Sequence, residues 1–298
     1  MEYITKHCLF CDDDLCNIEL YPKTFSDEDL DPLVFSARRV TEHYHYKMVK
    51  CAKTGLIFSK EILPDEELSK LYAGSKVTFN QYNEIIGEDY YKPLLKYENL
   101  LTKQNALDIG CSNGFFLDEL LKRGYQNLYG CEPSTEAKEM ASEKIRDNIF
   151  TGFFEDKVYE DNFFNLICCF QTLDHLSNPL DFLKTCYKKL KTNGAVYIIV
   201  HNTNALQYKI FREKSPIIDV EHIYLFNPDN LKLLLSKAGF ADSKVFPVKN
   251  SYPLEYWIEH SPIPMKNLFM KSAKIFRMNR VRLALNFGNM GILAFKKS

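Results

Sequence analysis

Between residues 105 and 240 the apolar positions switch repeatedly between two periods. Asn105-Ala106-Leu107-Asp108-Ile109, Asn127-Leu128-Tyr129-Gly130-Cys131, Asn148-Ile149-Phe150, Phe164 to Phe170 and Gly194 to Val200 are short apolar runs that predict strands. The run from Phe164 is apolar on both faces, as a central parallel strand is. Helical spacing alternates with these runs. Phe116, Leu117, Leu120 and Leu121 form one stripe over 115–122, and Gly124 ends it. Ser134 can cap a helix bearing Ala137, Met140, Ala141 and Ile145. Further helices are expected from Leu180 to Leu190 and from Asn230 to Ala238, the latter stopped by Gly239. This alternation predicts an α/β chain: a Rossmann-like, doubly wound, mostly parallel sheet with helices on both faces. Its ligand belongs beyond the carboxyl ends of the strands, where the strand order reverses.

The flanks read differently. Residues 1–75 are Cys/His-bearing and Asp/Pro-rich, and suggest a small N-terminal module. Residues 76–104 form a polar, tyrosine-rich linker or lid that turns helical through Tyr91 to Tyr97. The sheet is expected over 105–248, with 249–298 as an extension. In that extension Leu268, Phe269, Phe276, Val281 and Leu285 recur at near-helical spacing among Lys and Arg. Such a segment packs on the protein core or lies on a membrane surface; packing on the core is the expectation.

Composition narrows the classes. A chain of 298 residues buries roughly 75% of its unfolded surface without staples. No run approaches the 18 apolar residues of a membrane span, and the start lacks the pattern of a signal peptide. The nine cysteines are odd in number, and Cys168-Cys169 sit inside an apolar run. They read as reduced thiols of a cytoplasmic protein. The net charge of −1 is uneven: residues 1–35 hold nine acids and two lysines, while 260–298 hold eight basic residues and no acid. The two ends can pair. A pI near 6.7 argues against a dedicated nucleic-acid binder.

The chemical signal is the turn Asp108-Ile109-Gly110-Cys111-Ser112-Asn113-Gly114. Its glycines let backbone approach a ligand at an electropositive helix start. Glu132 ends the next strand, where an acid can accept both ribose hydroxyls of an adenosyl group. The same residues spell G-x-S-x-G, which would make Ser112 a hydrolase nucleophile, with Asp174 or Asp219 and then His222 or His260 in order. That motif normally follows several strands, and it leaves Glu132 without a role.

The segment Ala106 to Gly114 resembles the first motif of class I S-adenosylmethionine-dependent methyltransferases. Gly130-Cys131-Glu132-Pro133-Ser134 resembles the ribose-binding acid, and Leu173-Asp174-His175-Leu176-Ser177-Asn178-Pro179 the Glu-His-x-x-x-Pro segment. Leu190-Lys191-Thr192-Asn193-Gly194, Asp219 to Phe226 and Ala238-Gly239-Phe240 follow in family order. Cys8-Leu9-Phe10-Cys11 with Cys51-Ala52-Lys53-Thr54 resembles the zinc-ribbon leader of a bacterial subgroup acting on nucleotide sugars or glycans. Thr54 stands where its fourth cysteine belongs; Cys16, His43 or His45 could substitute, at a spacing that is not the family's, so the leader is either zinc-bound through Cys8, Cys11 and Cys51 or a metal-free relic.

The resemblance implies S-adenosylmethionine as cofactor, with Gly110, Cys111 and Gly114 against its methionine part, Asp108 anchoring the turn or reaching the amine, and Glu132 on the ribose. Phe153 and Phe154 would flank the adenine, and Phe170 and Gln171 would face the methyl. The implied acceptor is a sugar hydroxyl or carbon, nucleotide-linked or in a surface polysaccharide. The activated methyl leaves alignment, water exclusion and a general base to the protein. His222 is the first candidate base, with Glu221 and Tyr224 beside it. His201 is the second, and His175 is expected to hold its loop. A non-catalytic zinc-ribbon interaction protein is a further alternative.

Overall fold

The computed structural model describes residues 2–11, 17–35, 43–76, 81–259, 266–275, 278 and 280–297. The N-terminal part carries β1 (Ile4–Thr5), β2 (Asn17–Tyr21), β3 (Met48–Cys51), β4 (Ile57–Ser59), β5 (Glu61–Ile62) and α1 (Asp65–Ala73). Next come α2 (Asn83–Tyr91) and a run of 3-10 turns over Lys92–Leu100. The α/β stretch follows as β6 (Asn105–Ile109), α3 (Phe115–Lys122), β7 (Asn127–Glu132), α4 (Thr135–Glu139), β8 (Ile149–Thr151), β9 (Phe164–Phe170), α5 (Pro179–Lys189) and β10 (Leu190–His201). The chain continues through α6 (Leu206–Phe211), β11 (Tyr224–Leu225), α7 (Pro228–Lys237), β12 (Ala241–Pro253), α8 (Leu254–Glu259), α9 (Lys266–Ile275) and β13 (Arg282–Phe295).

Seven strands form the main sheet in the order β12-β13-β10-β9-β6-β7-β8. The pairs β10/β9, β9/β6, β6/β7 and β7/β8 are parallel. The chain moves outward from β6 to β8, then returns to β9 on the other side of β6. The switch point therefore lies between β6 and β9, as the alternation predicted. Successive residues of the central strands serve opposite faces. Ala106, Leu166, Cys168, Tyr197 and Ile199 pack with α2 and α3 through Ile86, Tyr90, Phe116, Leu117 and Leu120. Leu107, Ile167, Cys169, Val196 and Ile198 pack with α5 and α7 and with Tyr46, Phe58 and Leu63 of the N-terminal part.

Three expectations are corrected. The residues after 248 are part of the sheet rather than an extension upon it. β13 lies between β10 and β12, antiparallel to both, with Met290, Ile292, Leu293 and Ala294 fully buried. Its antiparallel partners are distant in sequence, so local periodicity does not reveal the pairing. The amphipathic helix α9 buries Ala273 alone and leaves Leu268, Phe269 and Ile275 exposed, so its apolar face does not pack on the core. The helix capped by Ser134 is a single turn and a half: Ser134 Oγ accepts from Ala137 N, and Met140, Ala141 and Ile145 fall in turns beyond it.

The N-terminal part is stitched to the core. Its antiparallel sheet runs β11-β4-β3-β2, and β11 comes from the core stretch. Among the described residues no helix is long and apolar enough to cross a membrane.

Candidate active site

The chain turns sharply after β6. Gly110 has φ +70°, and the N–H groups of Gly110 and Cys111 donate to the Cys131 carbonyl at 2.8 and 3.3 Å. A Cβ on Gly110 would stand 2.5 Å from Thr172 Oγ1, so the turn admits no side chain there. Ser112, at φ +50°, donates its N–H to Glu132 Oε2 at 2.8 Å, and Ser134 N–H donates to Oε1 at 2.9 Å. Glu132 is thereby held at the carboxyl end of β7 with lone pairs to spare, because each carboxylate oxygen accepts twice. Gly114 and Cys111 take other roles. Gly114, at φ +71°, is the N-cap of α3, where a Cβ would collide with Ile145 Cδ1. The Cys111 thiol packs against Gly130. Neither lines the cleft; Gly110 and Ser112 do.

That cleft holds about 580 Å³ and crosses the switch point. At one end it is lined by Glu132, Gly152, Phe153 and Phe154, and in the middle by Asp108, Gly110, Phe170 and Gln171. These residues fit an adenosyl cofactor with a cationic methionine part. Asp108 is buried with its Oδ1 unpartnered. Burial holds its carboxyl well above the usual range, and the Glu132 charge adds to this. Burial raises Glu132 as well, opposed by the N–H groups of Ser134 and Ser112. A cation beside them relieves both costs. Phe154 packs edge-on against Phe182, and Phe153 is more exposed, giving an aromatic wall for a flat base. Gln171 sits at φ +48° with its Oε1 buried and unpartnered. A non-glycine residue in this conformation next to a cleft marks a place where geometry outweighs local strain.

The far end gathers residues that are remote from one another in sequence. His201 ends β10 directly opposite Asn289 of β13. Asn289 Nδ2 donates to Asn250 Oδ1 at 2.9 Å, while Gln171 Nε2 donates to Asn289 Oδ1 at 3.2 Å. The His201 Nδ1 to Asn289 Oδ1 distance is 3.1 Å, so the proton sits on Nδ1 and the basic lone pair is on Nε2. His222 meets both His175 and His201 edge-on, with ring centroids 4.9 Å apart in each case. Asp174 lies behind them, and burial pushes its carboxyl up to about 7. Burial holds His175 down to about 3 and His222 well below the usual histidine range. Tyr224 turns away from this group: its hydroxyl donates to the His7 carbonyl, and its ring packs on Phe58, so it is part of the core. The pattern missed Asn250, Asn289, Tyr252, Tyr256 and Trp257, which all line the cleft from the C-terminal strands and α8. It also missed Phe35 and Tyr72, which wall the cleft from the N-terminal part; Tyr72 stacks on His175 at 6.0 Å.

The leader brings its thiols together. Cys8, Cys11 and Cys51 place their sulfurs within 4.8 Å of one another. Cys11 Sγ lies 3.6 Å from Cys51 Sγ, and Cys8 Sγ lies 3.6 Å from Thr54 Oγ1. Cys16 lies outside the described residues.

The turn, the acid after the second core strand and the switch-point cleft define an S-adenosylmethionine-dependent class I methyltransferase. A family model described as a methyltransferase domain matches residues 82–245, and the chain belongs to that family. The chain is 25% identical over 171 residues to a tRNA U34 carboxymethyltransferase of Helicobacter pylori (strain HPAG1), covering 54% of this chain and 66% of that protein. It is 27% identical over 120 residues to a ubiquinone biosynthesis O-methyltransferase of Aliivibrio fischeri (strain ATCC 700601 / ES114), covering 39% and 51%. The chain thus spans less than two thirds of the length of either relative. Among solved structures, the YcgJ protein of Bacillus subtilis matches 71% of this chain and 99% of its own at a TM-score of 0.50 and 14% identity, a likeness of fold. Membership of this family overturns the hydrolase reading of Ser112. The G-x-S-x-G spelling arises because the cofactor turn also needs two glycines four residues apart.

Proposed function

We propose that this protein methylates a hydroxyl of a sugar-type acceptor, nucleotide-linked or in a surface polysaccharide, with His201 as the proton acceptor. The carrying observation is the hydrogen bond between His201 Nδ1 and Asn289 Oδ1 at 3.1 Å, which sets the tautomer with the lone pair on Nε2. The acceptor end supports a polyhydroxylated ligand. It combines the amides Gln171, Asn250 and Asn289 and the acids Asp219 and Glu221 with the rings of Tyr252, Tyr256 and Trp257. Amides and acids bond hydroxyls, and rings cover the apolar face of a pyranose. The cofactor supplies a methyl already activated on a sulfonium. Asp108 and Glu132 would hold its cationic and ribose parts, and Phe170 would keep water from the line of transfer. His201 replaces His222 as the preferred base, since His222 is more deeply buried.

The proposal extends to the two ends of the chain. Zinc with Zn–S bonds near 2.3 Å sets neighbouring sulfurs roughly 3.8 Å apart, which suits the Cys11–Cys51 spacing of 3.6 Å. Cys8, Cys11 and Cys51 would hold a structural ion with Thr54 in the fourth direction. The exposed Leu268, Phe269 and Ile275 of α9, beside Lys266, Lys271 and Lys274, suit an anionic membrane carrying a lipid-linked acceptor. The eight described cysteines are free thiols, in keeping with a cytoplasmic setting.

The test is transfer of labelled methyl from S-adenosylmethionine to a panel of nucleotide sugars, with His201→Gln beside the wild type. The expected outcome is turnover of at least one sugar, lost at least a hundredfold in the variant while cofactor affinity stays within twofold. Methylation of tRNA or a quinol ring but of no sugar would refute the acceptor; full activity of His201→Gln would refute the base.

A further inference from the structure

We infer that Asp174, His175 and His222 bind one divalent first-row transition ion at the acceptor end of the cleft. The carboxylate and two imidazoles place one donor atom each within 4.8 Å of the others. His222 Nε2 is 3.8 Å from Asp174 Oδ2, and His175 Nε2 is 4.0 Å from Asp174 Oδ1. Both distances are too long for hydrogen bonds. They suit donors sharing an ion at about 2.0–2.2 Å from each, whose separations range up to about 4.2 Å. Asp174 is 1% exposed, and the donors that act on its carboxylate are the backbone N–H groups of Asp174 itself and of His201, neither of which closes a hydrogen bond of good geometry. A buried carboxylate so weakly answered is costly, and a cation held with the two imidazoles relieves that cost.

The backbone holds the three donors in place without an ion. Asp174 and His175 sit in one 3-10 turn, Leu173–His175. The His222 loop is tied to that turn by Ile223 N–H donating to the Asp174 carbonyl at 2.8 Å. It is tied to β4 by Ser59 Oγ donating to the His222 carbonyl at 3.0 Å and by Ser59 N–H donating to the Ile223 carbonyl at 2.9 Å. The N-terminal part therefore positions a ligand in the cleft. Two imidazoles and one carboxylate select ions such as Mn²⁺, Fe²⁺, Co²⁺ or Zn²⁺ over Mg²⁺ and Ca²⁺, which prefer oxygen alone. His175 and His222 line the cleft while Asp174 lies behind them. The coordination positions left open therefore face the acceptor, where a hydroxyl oxygen can bind and lose its proton more readily. That role rests on the methyl-transfer reading; binding of the ion does not.

The experiment is titration of Co²⁺ into the chelator-stripped full chain, followed by visible absorption. The leader thiols would announce themselves by sulfur-to-cobalt charge transfer, which a His/Asp site lacks. In Cys51→Ser the expected result is one Co²⁺ per chain with ligand-field bands and no charge transfer. Adding Asp174→Asn should weaken that binding at least tenfold. In the wild type the same site appears as an equivalent without charge transfer, which keeps the test valid if Cys51→Ser does not fold. Uptake only with charge transfer, no uptake at all, or bands undiminished by Asp174→Asn in protein that still binds S-adenosylmethionine would each overturn the inference. None of these outcomes depends on the acceptor.

Discussion

His201 and Asn289 stand opposite each other across the β10/β13 pair, and the 3.1 Å contact between His201 Nδ1 and Asn289 Oδ1 links the last parallel strand to the last strand of the chain. The pairing of a C-terminal strand with β10 thus fixes the protonation pattern of a histidine in the cleft. Replacing Asn289 with Leu removes the acceptor at little cost in volume. The expected outcome is loss of the Nδ1-H tautomer of His201 in ¹⁵N imidazole spectra, with turnover lowered about ten- to a hundredfold. An unchanged tautomer would show that the amide does not orient the ring.

Glu132 is fixed by two backbone N–H groups at 2.8 and 2.9 Å. Charge-assisted hydrogen bonds to a ligand are worth about 1.5–3 kcal/mol each. Glu132→Gln should therefore weaken S-adenosylmethionine binding by more than tenfold in calorimetric titration. The melting temperature of the unliganded protein should fall modestly, because the amide oxygen still accepts from one of the two N–H groups while the amide nitrogen leaves the other unanswered.

Asp108 and Glu132 both hold raised pKa values because of burial. The folded chain without cofactor then keeps protons that the unfolded chain releases above about pH 4. Its stability from these groups is greatest in acid and falls as pH rises through the ordinary carboxylate range towards the raised values. A cationic ligand favours the ionised carboxylates, so cofactor affinity should rise with pH over the same window, and binding should release protons. Calorimetry in two buffers of different ionisation enthalpy reads this directly. Release should shrink in Asp108→Asn; proton uptake by the wild type would contradict the account.

Ending the chain after Glu259 removes β13. Met290, Ile292 and Leu293 are at most 1% exposed in its centre. Burial of each is worth roughly 1.5–3 kcal/mol, a sum comparable with the total stability of about 5–15 kcal/mol. The truncated chain should show no cooperative thermal transition by circular dichroism. A folded truncated protein would show that the C-terminal strand is dispensable.

The basic, apolar face of α9 should bind vesicles containing anionic lipid in co-sedimentation, and Leu268→Ser with Phe269→Ser should abolish this. Equal binding to purely zwitterionic vesicles would remove the charge from the explanation.

Much of the cofactor half was legible in the chain because its signals are local. A strand, a glycine turn, a helix and an acid closing the next strand fall within thirty residues, and Gly110 and Glu132 lie in the cleft where that order puts them. Cys111 and Gly114 were legible as members of the turn but not as packing and capping residues, since that depends on Gly130 and Ile145, which the fold brings up from elsewhere. His201 and His222 were legible as candidates; Tyr224 was misplaced because its hydroxyl answers a carbonyl more than two hundred residues away.

The amino-acid order by itself determined the α/β alternation, the direction of the parallel strands and the half of the site that reads an adenosyl group, because these follow from periodicity and from spacing within single strand-turn-helix units. Only the tertiary structure decided the other half. Asn250 and Asn289 reach the cleft through antiparallel strands whose partners are remote in sequence, and the N-terminal part completes the wall with Phe35 and Tyr72. It also decided that Asp174, His175 and His222 bring their donor atoms within 4.8 Å of one another, because that meeting depends on two loops tied by the hydrogen bond from Ile223 N–H to the Asp174 carbonyl. Contacts across long loops leave no local trace, since neither residue's neighbours in sequence carry the pairing.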